Sequence, residues 1–175
     1  MYSKTILITG KPGTGKTTLV RTLCSRLEYL NPTGFYTAEI RIQGKRQGFE
    51  LIALNGQRMT LAHTSLQGQF RVGKYLVDVA GFEAFLDGLD LQAPGAGFVV
   101  IDEIGKMECF SGKFVQYVNT ALKSYKPLVA TVAAKGGGFI SVVKSKPGVE
   151  LVELTEQNRD QLLEDLEQHL VSRAG

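Results

Sequence analysis

The apolar positions of this chain keep two rhythms. "TILIT" (residues 5–9) is a short unbroken apolar run that predicts a buried strand. Leu19, Val20, Leu23, Cys24, Leu27 and Leu30 then recur at helical spacing until "NP" at Asn31 and Pro32. From residue 35 the period becomes two: Tyr36, Ala38, Ile40 and Ile42 alternate with Phe35, Thr37, Glu39 and Arg41, as in a strand with one buried face. "QGKRQG" supplies a turn and "FELIAL" returns, so an antiparallel hairpin is predicted over about 34–54.

"NGQRM" predicts a further turn, and residues 60–75, whose pattern is weak, predict loop and short strands. Phe82, Phe85, Leu86 and Leu89 give a short helix, and "QAPGAG" a connector. "FVVI" (residues 98–101) has the apolar, β-branched character of a parallel strand covered on both faces. A stripe of Phe114, Tyr117, Val118, Ala121 and Leu122 predicts a helix on that sheet. "PLVATVA" is another buried strand, "KGGG" a break, "FISVVKS" a short helix and "VELVELT" a last strand. The final helix is expected to start near Thr155 and to bury Leu162, Leu163, Leu166 and Leu170. Strands alternating with helices predict one doubly wound α/β domain over 1–175, the hairpin being a decoration.

The turn between the first strand and the first helix reads "GKPGTGKT" and matches G-x-x-x-x-G-K-[ST] in full. Glycines let such a loop turn its N–H groups toward phosphates, and the helix beginning there adds its positive end. Lys16 is spaced to reach the β- and γ-phosphates, and the Thr17 hydroxyl to ligate Mg2+.

"FVVIDEIGKME" carries the second motif, 85 residues beyond Thr17 (102 − 17). Asp102 falls where a parallel sheet presents its ligand-facing edge, and would hold Mg2+ through water as a Walker B carboxylate does. Glu103, pointing elsewhere, is placed to orient or deprotonate a water aimed at the γ-phosphorus. The bland alternative is that both carboxylates only cap the next helix. A strand ending in Asp-Glu resembles the P-loop branch (RecA/ASCE-like) with a strand inserted between the two Walker strands. "PLVATVA" would be that strand. The fold expected is a three-layer α/β sandwich with a mainly parallel sheet.

No N-K-x-D or T-K-x-D string follows, so no guanine reader of the Ras type is present and base selectivity is expected to be loose. Lys106, three residues after Glu103, is the best-placed further cation; Arg41, Arg46, Arg71 and Arg159 are accessory candidates against a plain reading as solvated charge. Glu108 either ligates or is exposed. Lys135, Lys144 and Lys146 are too sparse to argue nucleic-acid binding.

A net charge of +3 and the absence of Trp give no case for nucleic acid or an anionic membrane as partner. No apolar run approaches the roughly 20 residues of a membrane span. The N-terminus is already the first strand, so no targeting segment is expected. Cys24 and Cys109 read as reduced thiols, and His63 and His169 lack neighbours at metal-ligand spacing. A cytoplasmic monomer is expected.

"GKPGTGKTTLV", "GFYTAEIRIQGKRQGFEL", "RVGKYLVDV", "DEIGKMECFS" and "LTEQNRD" occur in the order found in the small nucleoside-triphosphatase family, which the chain resembles over about residues 6–160. "DEIGKME" is the most specific of them. The resemblance implies a slow, Mg2+-dependent hydrolase of ATP, GTP, CTP and UTP that releases diphosphate and phosphate. By motif it implies nucleotide binding at Gly10, Lys11, Pro12, Gly13, Thr14, Gly15, Lys16, Thr17 and Thr18. A second nucleotide-binding segment is implied at Val100, Ile101, Asp102, Glu103, Ile104, Gly105, Lys106 and Met107. Catalysis would fall to Glu103, Lys16 and Lys106, and the metal to Thr17 and Asp102. Cys109 departs from the family's usual Leu, and "AAKGGG" is looser than its usual connection. A nucleotide or nucleoside kinase and a regulatory nucleotide-binding switch are the alternative readings.

Overall fold

In the computed structural model, which describes residues 4–174, nine strands form one sheet. The parallel part consists of β1 (Thr5–Thr9), β2 (Thr33–Ile42), β7 (Val99–Ile104), β8 (Leu128–Val132) and β9 (Val149–Glu153). An antiparallel wing adds β3 (Lys45–Ala53), β4 (Arg58–His63), β5 (Arg71–Val72) and β6 (Tyr75–Val77). The order across the sheet is β5-β6-β4-β3-β2-β7-β8-β1-β9. β8 therefore lies between β1 and β7, as "PLVATVA" predicts.

The strands at the centre are buried on both faces. On β1, Ile6 and Ile8 pack into one core while Leu7 packs into the other. On β7 and the residue before it, Phe98 and Val100 divide from Val99 and Ile101 in the same way. Helices α1 (Lys16–Arg26) and α5 (Arg159–Ala174) cover the first face. Helices α2 (Val79–Asp87), α3 (Gly112–Lys123) and α4 (Phe139–Lys144) cover the second. Phe35 anchors that second core with the rings of Phe82, Phe85 and Phe114 at 5.8–6.5 Å. Its truncation to Ala would cost about 3–5 kcal/mol.

Three details differ from the sequence expectation. The hairpin is not a decoration: β2 pairs in parallel with β7, so the hairpin carries the sheet outward. Its turn is Gln43–Gly44, both with positive φ (48° and 75°), the backbone that a two-residue connection between twisted strands requires. The inward face of β2 belongs to Phe35 and Thr37, whereas Ile42, beyond the core near the hairpin tip, is 54% exposed. The last helix begins at Arg159 rather than near Thr155. Thr155 and Asn158 first exchange hydrogen bonds (Thr155 N–H to Asn158 Oδ1, 2.8 Å; Asn158 N–H to Thr155 Oγ1, 3.3 Å), and the Asn158 carbonyl accepts the helix bond from Leu162.

Candidate functional site

The first half of the site is the loop between β1 and α1. The Lys16 ammonium folds back to donate to the carbonyls of Gly10 (2.8 Å) and Lys11 (3.1 Å), and Thr14 Oγ1 also donates to the Lys11 carbonyl (2.9 Å). These bonds close the loop into a ring, with Pro12 and Gly13 exposed on its outer side. Gly15 occupies the N-cap with φ 93°, a left-handed geometry that a Cβ would strain. That Cβ would also stand 3.3 Å from Arg159 Nε, so Arg159 at the start of α5 lies against the loop. Its Nε is buried with no hydrogen-bond partner in the described structure. Thr17 sits in the first turn of α1, half-buried, and Thr18 is exposed.

The second half is the end of β7. Val100, Ile101 and Ile104 lie wholly in the cores, so within the segment expected to bind nucleotide they support the backbone. Asp102 is 1% exposed. Its Oδ1 accepts from Thr131 Oγ1 on β8 (2.7 Å) and its Oδ2 from the Thr37 N–H on β2 (3.1 Å), while Thr37 Oγ1 donates to its carbonyl (2.8 Å). Burial pushes the Asp102 carboxyl above its ordinary range; the bonds from Thr131, Thr37 and Thr17 and the charge of Lys16 pull it back.

Pairing of β7 with β8 shifts register between Ile101 and Ile104, and within that bulge Glu103 has φ 120°. A non-glycine residue in this region is strained by about 1–3 kcal/mol, and such strain concentrates at functional positions. The bulge frees the Glu103 carboxyl from strand alternation. Burial first, and the Asp102 charge second, raise its pKa, against the pull of Lys16.

Glu108 is not exposed. It is buried at 3% exposure beside Glu103, in a 3₁₀ turn (Glu108–Phe110). Gly105 leaves the two carboxyls room, since a methyl there would stand 2.8 Å from Glu108 Oε2 and 3.1 Å from Glu103 Oε1. Burial, then the charge of Glu103, hold the Glu108 carboxyl well above the usual range. Lys106 is exposed and Met107 half-buried, both on the cavity that Glu103 and Glu108 line.

Of the other candidate cations, Arg41 is held by Glu39 (2.6 Å) and the Gly44 carbonyl, and Arg46 by Glu39 (2.8 Å) and Tyr75. Arg71 is exposed on β5 at the far edge of the sheet. A larger cleft of about 980 Å3, along α1 and β2, shares only Thr18 with the loop. Thr37 and Thr131 are the site residues that the sequence does not single out. A hydroxyl inside the apolar run "PLVATVA" was the available signal for Thr131.

Among the described residues no group of three or more His, Cys, Asp or Glu side chains could cage a metal ion. Thr17 and Asp102 instead offer one hydroxyl and one carboxylate, the sparse oxygen set of a Mg2+ site completed by waters and substrate phosphates. The residues present fit that ion.

Comparisons with known proteins give the family and the fold. The model of a family described as NTPase matches residues 5–166. A nucleoside-triphosphatase THEP1 of Thermotoga petrophila is 43% identical, covering 92% of this chain and 89% of its own. The human cancer-related nucleoside-triphosphatase is 34% identical, covering 92% and 93%. The crystal structure of THEP1 from the hyperthermophile Aquifex aeolicus superposes with a TM-score of 0.85 at 35% identity, covering 95% and 98%.

Proposed function

The chain belongs to the nucleoside-triphosphatase family, and from that premise we propose that it hydrolyses the β–γ bond of ATP, GTP, CTP and UTP alike, slowly and with Mg2+. The observation that carries this reading is the Asp102–Glu103 bulge. It sets one fixed carboxylate and one strained, desolvated carboxylate side by side, both within the field of Lys16.

The parts divide the work by position. The loop of residues 10–15 and the N-terminus of α1 cradle the phosphates, and Lys16 exchanges its bonds to Gly10 and Lys11 for phosphate oxygens. Arg159, with a free Nε against Gly15, adds charge from the other side. Glu103 in its carboxylate form takes a proton from the attacking water, and burial makes it a stronger base than an exposed glutamate. Thr17 and Asp102 would hold Mg2+, which when bound neutralises charge developing on the phosphate oxygens. Low turnover is supported by the engagement of Arg41 and Arg46 elsewhere. Loose base selectivity is supported by the lack of a guanine-reading motif. The two free thiols accord with a cytoplasmic location.

The direct test is phosphate release from the four triphosphates with and without Mg2+. Release from all four, dependent on the ion, is expected; release from none overturns the reading.

A further inference from the structure

The Glu103 carboxyl faces more room than a water molecule fills. Beside it, under the ends of β7 and β8 and the start of α4, lies a cavity of about 650 Å3. One water takes a share of roughly 30 Å3, whereas small-molecule sites run from about 300 to 1,000 Å3. The walls are aromatic and apolar: Phe49, Met107, Phe110 and Phe139, all packed against the second core. They are also braced. Phe49 sits edge-on to Tyr75 with centroids 5.1 Å apart, and Phe110 stands 5.2 Å from Phe70. Glu103 and Glu108 line the same cavity, and exposed Lys106 and Lys135 border it. Hydrolysis needs a site for the triphosphate, assigned above to the loop of residues 10–15, and room for one water; no residue of that loop lines this chamber.

We propose that this cavity is a second-substrate site for a small molecule carrying an aromatic or heteroaromatic ring and a hydroxyl group, to which the γ-phosphoryl group passes in competition with water. The proposal rests on the hydrolase reading, because the same Glu103 serves both acceptors. The hydroxyl oxygen forms the new bond to the γ-phosphorus as the bond from that phosphorus to the β–γ bridging oxygen breaks. The bridging electron pair leaves with the nucleoside diphosphate, and the hydroxyl proton goes to the Glu103 carboxylate. Glu108, a buried carboxyl with Glu103 beside it, offers the hydroxyl a second hydrogen-bonding oxygen. Lys106 and Lys135 face the charge of the phosphomonoester product.

The test uses the full chain, ATP labelled in the γ-phosphate, and benzyl alcohol at millimolar concentration, with 1-propanol as the ring-free control. The readout is the ratio of labelled phosphomonoester to labelled inorganic phosphate within each reaction. For benzyl alcohol that ratio is expected to exceed the control by at least about tenfold, the discrimination an apolar pocket gives. Filling the cavity with Ala133→Phe should return it to the control value. If that variant fails to fold, alkylation of Cys109 in the folded protein with N-ethylmaleimide places a bulky group in the same cavity without refolding. Equal ratios for the two alcohols, with phosphate release intact, overturn the acceptor site and leave the hydrolase standing. A high ratio that neither block lowers also overturns it, since transfer would then not use the cavity. No phosphate release at all is the distinct failure of the hydrolase reading, and the proposal falls with it.

Discussion

Thr131, on β8 between β1 and β7, donates its hydroxyl to Asp102 Oδ1 at 2.7 Å. The carboxyl it holds is almost wholly buried, so a missing donor there is not replaced by solvent. Thr131→Val should therefore lower stability by about 1–3 kcal/mol in urea unfolding, while Thr131→Ser, which keeps the hydroxyl, should stay near the parent. Equal stabilities for the parent and the valine variant would show that the bond contributes nothing.

Glu103→Gln keeps the size of the side chain but removes the carboxylate proposed as the base. Phosphate release should fall by roughly 10²–10⁴-fold while triphosphate binding, followed by equilibrium titration, changes little. Unchanged release would remove Glu103 from the proton transfer.

Strain at the same position predicts a second, opposite effect. Glycine accepts φ 120° without penalty, and Glu103→Gly also removes a desolvated carboxyl. The variant is expected to be inactive yet more stable than the parent by about 1 kcal/mol, after allowing for the entropy of glycine. Lower stability would mean that the backbone is relaxed there.

The buried Glu108 makes stability depend on pH. Its folded pKa lies well above the 4.5 of an unperturbed glutamate, so the folded state holds the proton more tightly than the unfolded chain does. This contribution is fully present below about pH 4.5 and is lost as pH rises through the folded value. Glu108→Gln lacks that loss. Its stability relative to the parent should increase as pH rises above about 4.5 in denaturant titrations. A difference that stays constant with pH would refute this assignment.

Arg159 lies against Gly15 with its Nε unpaired, which suits a partner delivered by the substrate. Arg159→Ala should raise KM for ATP by about tenfold or more, the loss of one hydrogen bond to a charged group. Arg159→Lys should recover little, because an ammonium lacks the guanidinium fork.

Much of this architecture is legible in sequence because each part has a local cause. The loop is written in glycines plus Lys16 and Thr17, and the central strands in short runs too apolar to face water. The inserted strand follows from Asp-Glu at the end of "FVVI". What the pattern hides depends on contacts between distant segments. Nothing near Thr37 or Thr131 in sequence says that both close on Asp102, because strand order across the sheet decides it. For Glu108 the sequence leaves ligand and exposed charge both open, and only the 3₁₀ turn shows it buried beside Glu103. The start of α5 moved because the exchange between Thr155 and Asn158 caps a turn before the helix proper.

The neighbours of β1 in the sheet are β8 and β9, both from the last third of the chain. Gly10 rests under the carbonyl of Leu154, and Gly15 under Arg159. β1 is thus completed by segments that follow it in the chain. A nascent chain that has not yet released residues 128–159 has the phosphate-loop sequence but no bed to shape it. Nucleotide binding during synthesis would then report the emergence of residues 128–159, because the long-range pairings that close the sheet form late.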